Sequence, residues 1–179
     1  MQAGMGKIVR RIGDVKSPSE FWLAGIRDYV KSVFSCGPHS IHGPVHWQRV
    51  ESFGLKIAER SGADIAVVRL FALLHDSCRR NDGDDLEHGP RAAAMLHRIV
   101  PSVFALDPQR FGLLEHAVRH HTSGLISDDP TIGACWDADR LDIGRVGITP
   151  SPDYMSTACG KKMASQDFST GSIRASRSF

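Results

Sequence analysis

The chain has 179 residues, 41 % hydrophobic and 23 % charged, with a formal net charge of +2. That is an ordinary globular balance, and the length suits one domain whose core needs neither disulfides nor a structural metal. It excludes the strong positive footprint of a dedicated nucleic-acid binder, and no apolar run reaches membrane-spanning length.

Residues 1–16 read as an N-terminal extension. They are basic but lack the apolar run of a signal peptide, so a cytoplasmic location is the default expectation. A domain is expected over 17–158, starting at the capping box Ser17-Pro18-Ser19-Glu20 with proline at the first helical position. Apolar residues then recur at Trp22, Ile26, Tyr29, Val30 and Val33, which is helical spacing, until Gly37-Pro38 ends the helix. Gly43-Pro44 and Gly89-Pro90 mark two further helix starts. Asp107-Pro108 and Asp129-Pro130 repeat the cap-then-proline signal. The expected helices cover 18–35, 44–60, 64–77, 88–99, 108–121 and 130–143. The run from Ile65 to Leu74 could pass for a buried strand, but its length and its Ala and Leu content favour a core helix. No other segment reads as a strand. Residues 159–179, rich in Ser, Gly, Lys and Arg, are expected to be a mobile C-terminal tail.

Four cysteines, Cys36, Cys78, Cys135 and Cys159, lie far apart with no CxxC pair. They read as reduced thiols, not as a zinc ribbon or redox dithiol.

The nine histidines carry the functional signal. His39, His42 and His46 lead into the second helix, and His75-Asp76 closes the apolar third one. His88 opens the fourth, and His116, His120 and His121 end the fifth. A carboxylate near the core, as Asp76 must be, is costly without a partner. A metal ion removes that cost, because it favours the ionised carboxylate and the neutral imidazole together. Further ligands must then come from other helices. His46 and Asp139 are the candidates, with Asp137 and Asp142 as competitors for the acidic position. Two imidazoles and two carboxylates make a mixed nitrogen and oxygen site, suited to Mn, Fe, Mg, Co, Ni or Zn.

The ordered set of motifs resembles the HD-domain metal-dependent phosphohydrolase superfamily. Its carriers are His42-Gly43-Pro44-Val45-His46-Trp47-Gln48-Arg49-Val50 and Phe71-Ala72-Leu73-Leu74-His75-Asp76. They continue with Glu87-His88-Gly89, His120-His121-Thr122 and Cys135-Trp136-Asp137-Ala138-Asp139-Arg140-Leu141-Asp142. The resemblance spans roughly 42–157. It implies an all-α helical bundle with a central metal site and His46, His75, Asp76 and Asp139 as ligands. It also implies that His88 and His121 bind a second metal or grip phosphate. Arg49, Arg79, Arg80 and Arg140 are candidates for phosphate, Arg79 foremost because it lies one turn after His75. His42, His116 and His120 are assigned structural roles. After the His-Asp pair the chain reads Ser77-Cys78-Arg79-Arg80. The acidic pair of alarmone hydrolases is absent, as is the Gly-Tyr-Pro signature of cyclic di-GMP phosphodiesterases, so neither activity carries over.

The resulting expectation is metal-dependent hydrolysis of a phosphomonoester or phosphoanhydride, with a nucleotide the leading substrate. Asp76 is expected to accept the proton of the attacking water, and Arg79 or His121 to stabilise the phosphate. The alternative is a non-catalytic module that binds metal and nucleotide. A nucleic-acid partner using Lys161, Lys162, Arg174 and Arg177 is disfavoured.

Overall fold

The computed structural model of the chain describes residues 20–100 and 102–166. Ser17, Pro18 and Ser19 of the capping box, the 1–16 extension, and Arg174 and Arg177 lie outside the described residues. Seven α-helices are found among them: α1 (Glu20–Val33), α2 (Pro44–Ser61), α3 (Ile65–Leu74), α4 (His88–Ile99), α5 (Pro108–His120), α6 (Pro130–Leu141) and α7 (Ala158–Ala164). Short 3-10 turns cover Asp142–Val146 and Pro152–Tyr154, and no strand occurs among the described residues.

Local chemistry accounts for the starts. The side chain of Asp107 accepts from the Arg110 N–H, and Asp129 accepts from the Thr131 and Ile132 N–H groups. Each cap satisfies donors that the first helical turn leaves unpaired. Asp64 caps α3 in the same way.

Apart from Arg69, helix α3 is apolar on all sides, and such a helix must be central. Eight of its residues, from Ala66 to Leu74 with Arg69 left out, are buried. Helices α2, α5 and α6 pack around it, and α4 lies against α5. Two glycines allow close approach. A Cβ on Gly54 would lie 2.5 Å from Val68 Cγ1, which lets α2 settle on α3. A Cβ on Gly89 would lie 2.9 Å from the Arg119 carbonyl, so only glycine brings the start of α4 against the end of α5. That crossing places His88 beside His121.

Two expectations need correction. The third helix stops at Leu74, not at 77, and residues 75–78 form a turn. The Ser77 hydroxyl donates to the Leu74 carbonyl at 2.6 Å, a local bond that competes with helix continuation. Residues 159–164, assigned to a mobile tail, belong to α7. Thr157 caps that helix by accepting from the Gly160 N–H, and Gly160 and Ala164 are buried. Lys161 and Lys162 lie on this helix, and residues 167–179 lie outside the described residues. Among the described residues no helix is long and apolar enough to cross a membrane.

Candidate metal centre

The chain ends of α3 and α5 meet the starts of α2 and α4 and the last turn of α6 at one buried cluster. His46 lies in the first turn of α2, and His75 and Asp76 follow the last residue of α3. His88 opens α4, His121 caps the C-terminus of α5, and Asp139 lies in the last turn of α6. His46, His75, Asp76, His88 and His121 are all buried.

The side chains form two groups that share Asp76. In the first, His46 Nε2 lies 3.0 Å from His75 Nε2, 3.5 Å from Asp76 Oδ2 and 3.3 Å from Asp139 Oδ1. His75 Nε2 is 3.6 Å from each of the same two oxygens. In the second, Asp76 Oδ1 lies 3.0 Å from His88 Nε2 and 3.6 Å from His121 Nε2, and those two nitrogens are 2.8 Å apart. Asp76 therefore turns one oxygen to each group.

The tautomers follow from the outer nitrogens. His75 Nδ1 faces the Phe71 carbonyl at 3.1 Å, His121 Nδ1 faces the Val118 carbonyl at 2.7 Å, and His88 Nδ1 bonds the Asp85 carbonyl. A carbonyl only accepts, so each Nδ1 must donate, and in a neutral ring Nε2 is left as a bare acceptor. His46 Nδ1 likewise meets Asp142 Oδ2 at 2.6 Å. Neutral imidazoles would thus point lone pairs at each other across 2.8 and 3.0 Å. Only a proton or a cation relieves that arrangement.

The spacing fits an ion. Ligand atoms about 2.1 Å from a metal lie about 3.0 Å apart at right angles and about 3.4 Å apart at tetrahedral corners. The observed separations within each group, 2.8 to 3.6 Å, bracket both values. His42, His46 and Asp76, then His46, His75 and Asp139, then Asp76, His88 and His121 each form a group able to hold a metal ion.

The electrostatics agree. Burial disfavours charge on His46, but hydrogen bonds with Asp139, Asp142 and Asp76 outweigh it and raise its pKa to about 10. Burial likewise opposes the charge of Asp76, yet the His75, His121, His42 and His46 rings hold its carboxyl well below the usual range. Asp139 behaves the same way, with His46 and His75 overcoming its burial. A pocket that clings to a proton near neutral pH and keeps its carboxylates ionised attracts positive charge.

Of the residues singled out in the sequence, His46, His75, Asp76, Asp139, His88 and His121 are brought together. Arg79 joins them, donating from Nε to Asp76 Oδ1 at 3.1 Å and from Nη1 to the Gly83 carbonyl at 3.0 Å. Arg49 bonds Asp142 Oδ1 at 2.6 Å and so braces the carboxylate that orients His46. Arg140 differs from the expectation of a phosphate ligand. Its guanidinium donates to the carbonyls of Tyr154 and Leu125, both at 2.6 Å, and lies over the Trp136 ring. It ties together the segments that carry those two carbonyls. His42, assigned a structural role, instead reaches the cluster, with Nδ1 2.8 Å from Asp76 Oδ2. His116 stacks on Trp136 and pairs with His120, away from the cluster.

Asp142 is the positioning residue whose role the sequence left open. Its offset of three from Asp139 places it on a neighbouring face at the end of α6, a signal that was legible as competition but not as bracing. No family model matches the chain, and no curated protein matches it. Its structure is similar to the crystal structure of a predicted HD superfamily hydrolase from an uncultured Thermotogales bacterium. The two are 28 % identical, with 79 % of this chain and 82 % of that chain covered and a TM-score of 0.62. The chain has the HD-domain fold.

Proposed function

We propose that this HD-domain chain is a metal-dependent hydrolase, and that its substrate is a phosphomonoester or phosphoanhydride, with a nucleotide the leading class. The observation that carries the proposal is the shared carboxylate of Asp76, one oxygen among His46, His75 and Asp139 and the other between His88 and His121. A divalent ion bound there supplies acidity to a water molecule and positive charge for a phosphoryl oxygen.

The chain's own residues divide the remaining work. The outer partners of the imidazoles (Asp142, Phe71, Asp85 and Val118) fix ring orientation and keep each Nε2 available. Asp76 is held from both sides, by His42 on Oδ2 and by Arg79 on Oδ1. With both oxygens engaged, it serves to hold positive charge in place. Asp139 is better suited to take the proton of an attacking water. Its Oδ1 faces His46 and His75, and 21 % of its side chain is exposed. That exposure leaves an approach for substrate and supports turnover over a sealed binding module. The phosphate-facing donors would be His42 and Arg79, at the edge of the same cluster.

The test pairs elemental analysis of the purified protein with a panel of nucleotides and sugar phosphates, run with added Mn or Mg. The expected outcome is bound divalent metal and hydrolysis of at least one phosphate ester. Asp76→Ala should lose both. Asp76→Ala protein that still turns over a substrate of the parent at the parental rate would reject the mechanism.

A further inference from the structure

Residues 77–80 line a second cavity, and of its lining only Arg79 also belongs to the proposed chemistry. The cavity has a volume of about 430 Å³ and is bounded by Tyr29 and Val33 of α1, by Ser77 to Arg80, and by Arg91, Met95 and Arg98 of α4, among others. Four of the lining residues are arginines, and none is an acid. Arg79 and Arg91 already have carboxylate partners, Asp76 and Asp85. Arg80 and Arg98 have no side-chain ion pair or hydrogen bond among the described residues. Two exposed guanidinium groups therefore line the cavity with no carboxylate partner among the described residues.

The floor is built and not merely a gap. The Ser35 hydroxyl donates to the Arg79 carbonyl at 2.8 Å, and Arg91 Nη2 donates to the Cys78 carbonyl at 3.1 Å. One wall is apolar, formed by Tyr29, Val33 and Met95. A concave site of a few hundred Å³ with an apolar wall and a few convergent polar groups has the form of a small-molecule site. Guanidinium pairs favour phosphate, whose oxygens accept two donors at once.

We propose that this cavity is a second binding site, separate from the metal centre, for a small phosphate-bearing ligand with an apolar or aromatic body. Arg79 connects the two sites, since it lines the cavity and donates to Asp76 Oδ1 at 3.1 Å. A phosphate that draws on Arg79 competes with Asp76 for the same guanidinium. Occupancy of the cavity therefore changes the charge environment of the metal-facing carboxylate, and by linkage metal binding alters affinity in the cavity.

The test is calorimetric titration of the protein as purified, with its metal content measured on the same sample, using phenylphosphonate and inorganic phosphate as probes. Phenylphosphonate should bind the parent, more tightly than inorganic phosphate and more tightly at low salt. Arg80→Glu combined with Arg98→Glu should weaken it about tenfold or more. Arg80→Gln with Arg98→Gln is the milder pair, should the charge reversal fail to fold, and should weaken it in the same direction. No binding to the parent, or equal binding by parent and both variant pairs, overturns the site. Equal affinity for the two probes overturns the apolar half of the recognition. A sample without metal would count against the proposed hydrolase but leave the arginine comparison intact.

Discussion

Two aspartates on α6, Asp137 and Asp139, are both packed against the protein interior and do opposite things. They are two residues apart, so they project about 200° apart around the helix. Asp137 is fully buried and meets only fixed donors. It accepts from the Ser156 N–H at 2.6 Å, the Thr157 N–H at 2.8 Å and the Thr157 hydroxyl at 2.7 Å. Its charge is satisfied by the chain, and it ties the segment before α7 to the bundle. A Cβ on Gly160 would run into this carboxylate, so the tie also dictates glycine there. Asp139 meets the Nε2 atoms of two histidines whose donors are spent elsewhere. A buried carboxylate among N–H and O–H donors is architecture. A buried carboxylate beside ring nitrogens that carry no proton in the neutral imidazole needs a proton or a cation to complete it.

The comparison breaks most sharply on Asp139→Ala. That change should lower turnover at least about 1,000-fold and reduce bound metal, while the circular dichroism spectrum keeps its helical form. Retained metal and activity would put Asp139 in the same class as Asp137. Asp137→Ala should do the reverse. It leaves two backbone donors and a hydroxyl unpaired in the interior, at a cost of about 3 kcal/mol in unfolding free energy by denaturant titration. The activity of the molecules that remain folded should stay within about twofold of the parent. A variant that kept its stability but lost metal would erase the distinction. Asp142→Asn sharpens the comparison from outside the cluster. It preserves the shape but weakens the brace on His46 Nδ1, so metal affinity should fall about 10- to 100-fold with little change in stability. Metal competition with a fluorescent chelator measures it, and unchanged affinity would show that Asp142 serves only Arg49 and Arg145.

Much of this was legible before any coordinates. Proline after aspartate placed the starts of α5 and α6, and glycine followed by proline placed α2, because capping and proline geometry are local properties of the chain. The all-helical class was legible too, and the resemblance to the HD superfamily, not the spacing itself, singled out Asp139 to join His46, His75 and Asp76. The bracing set was not legible. Arg140 beside Asp139 reads as a phosphate ligand until the Tyr154 and Leu125 carbonyls are seen to occupy it. His42 reads as a structural histidine until its ring is found on Asp76. Residues 159–164 read as tail because their few apolar groups give little periodicity. They become helix once Thr157 caps them and Asp137 anchors the turn before them.

By itself the sequence determined where helices begin, which of them must be central, and which side chains are chemically able to hold a metal. Those follow from near neighbours along the chain: caps, proline and apolar spacing. Tertiary structure alone decided which aspartate of α6 faces the histidines and which nitrogen of each ring is free. It also decided that one carboxylate serves two groups of ligands. Each of those depends on atoms brought together from helices dozens of residues apart, where a rotation of α6 by half a turn would exchange Asp137 for Asp139.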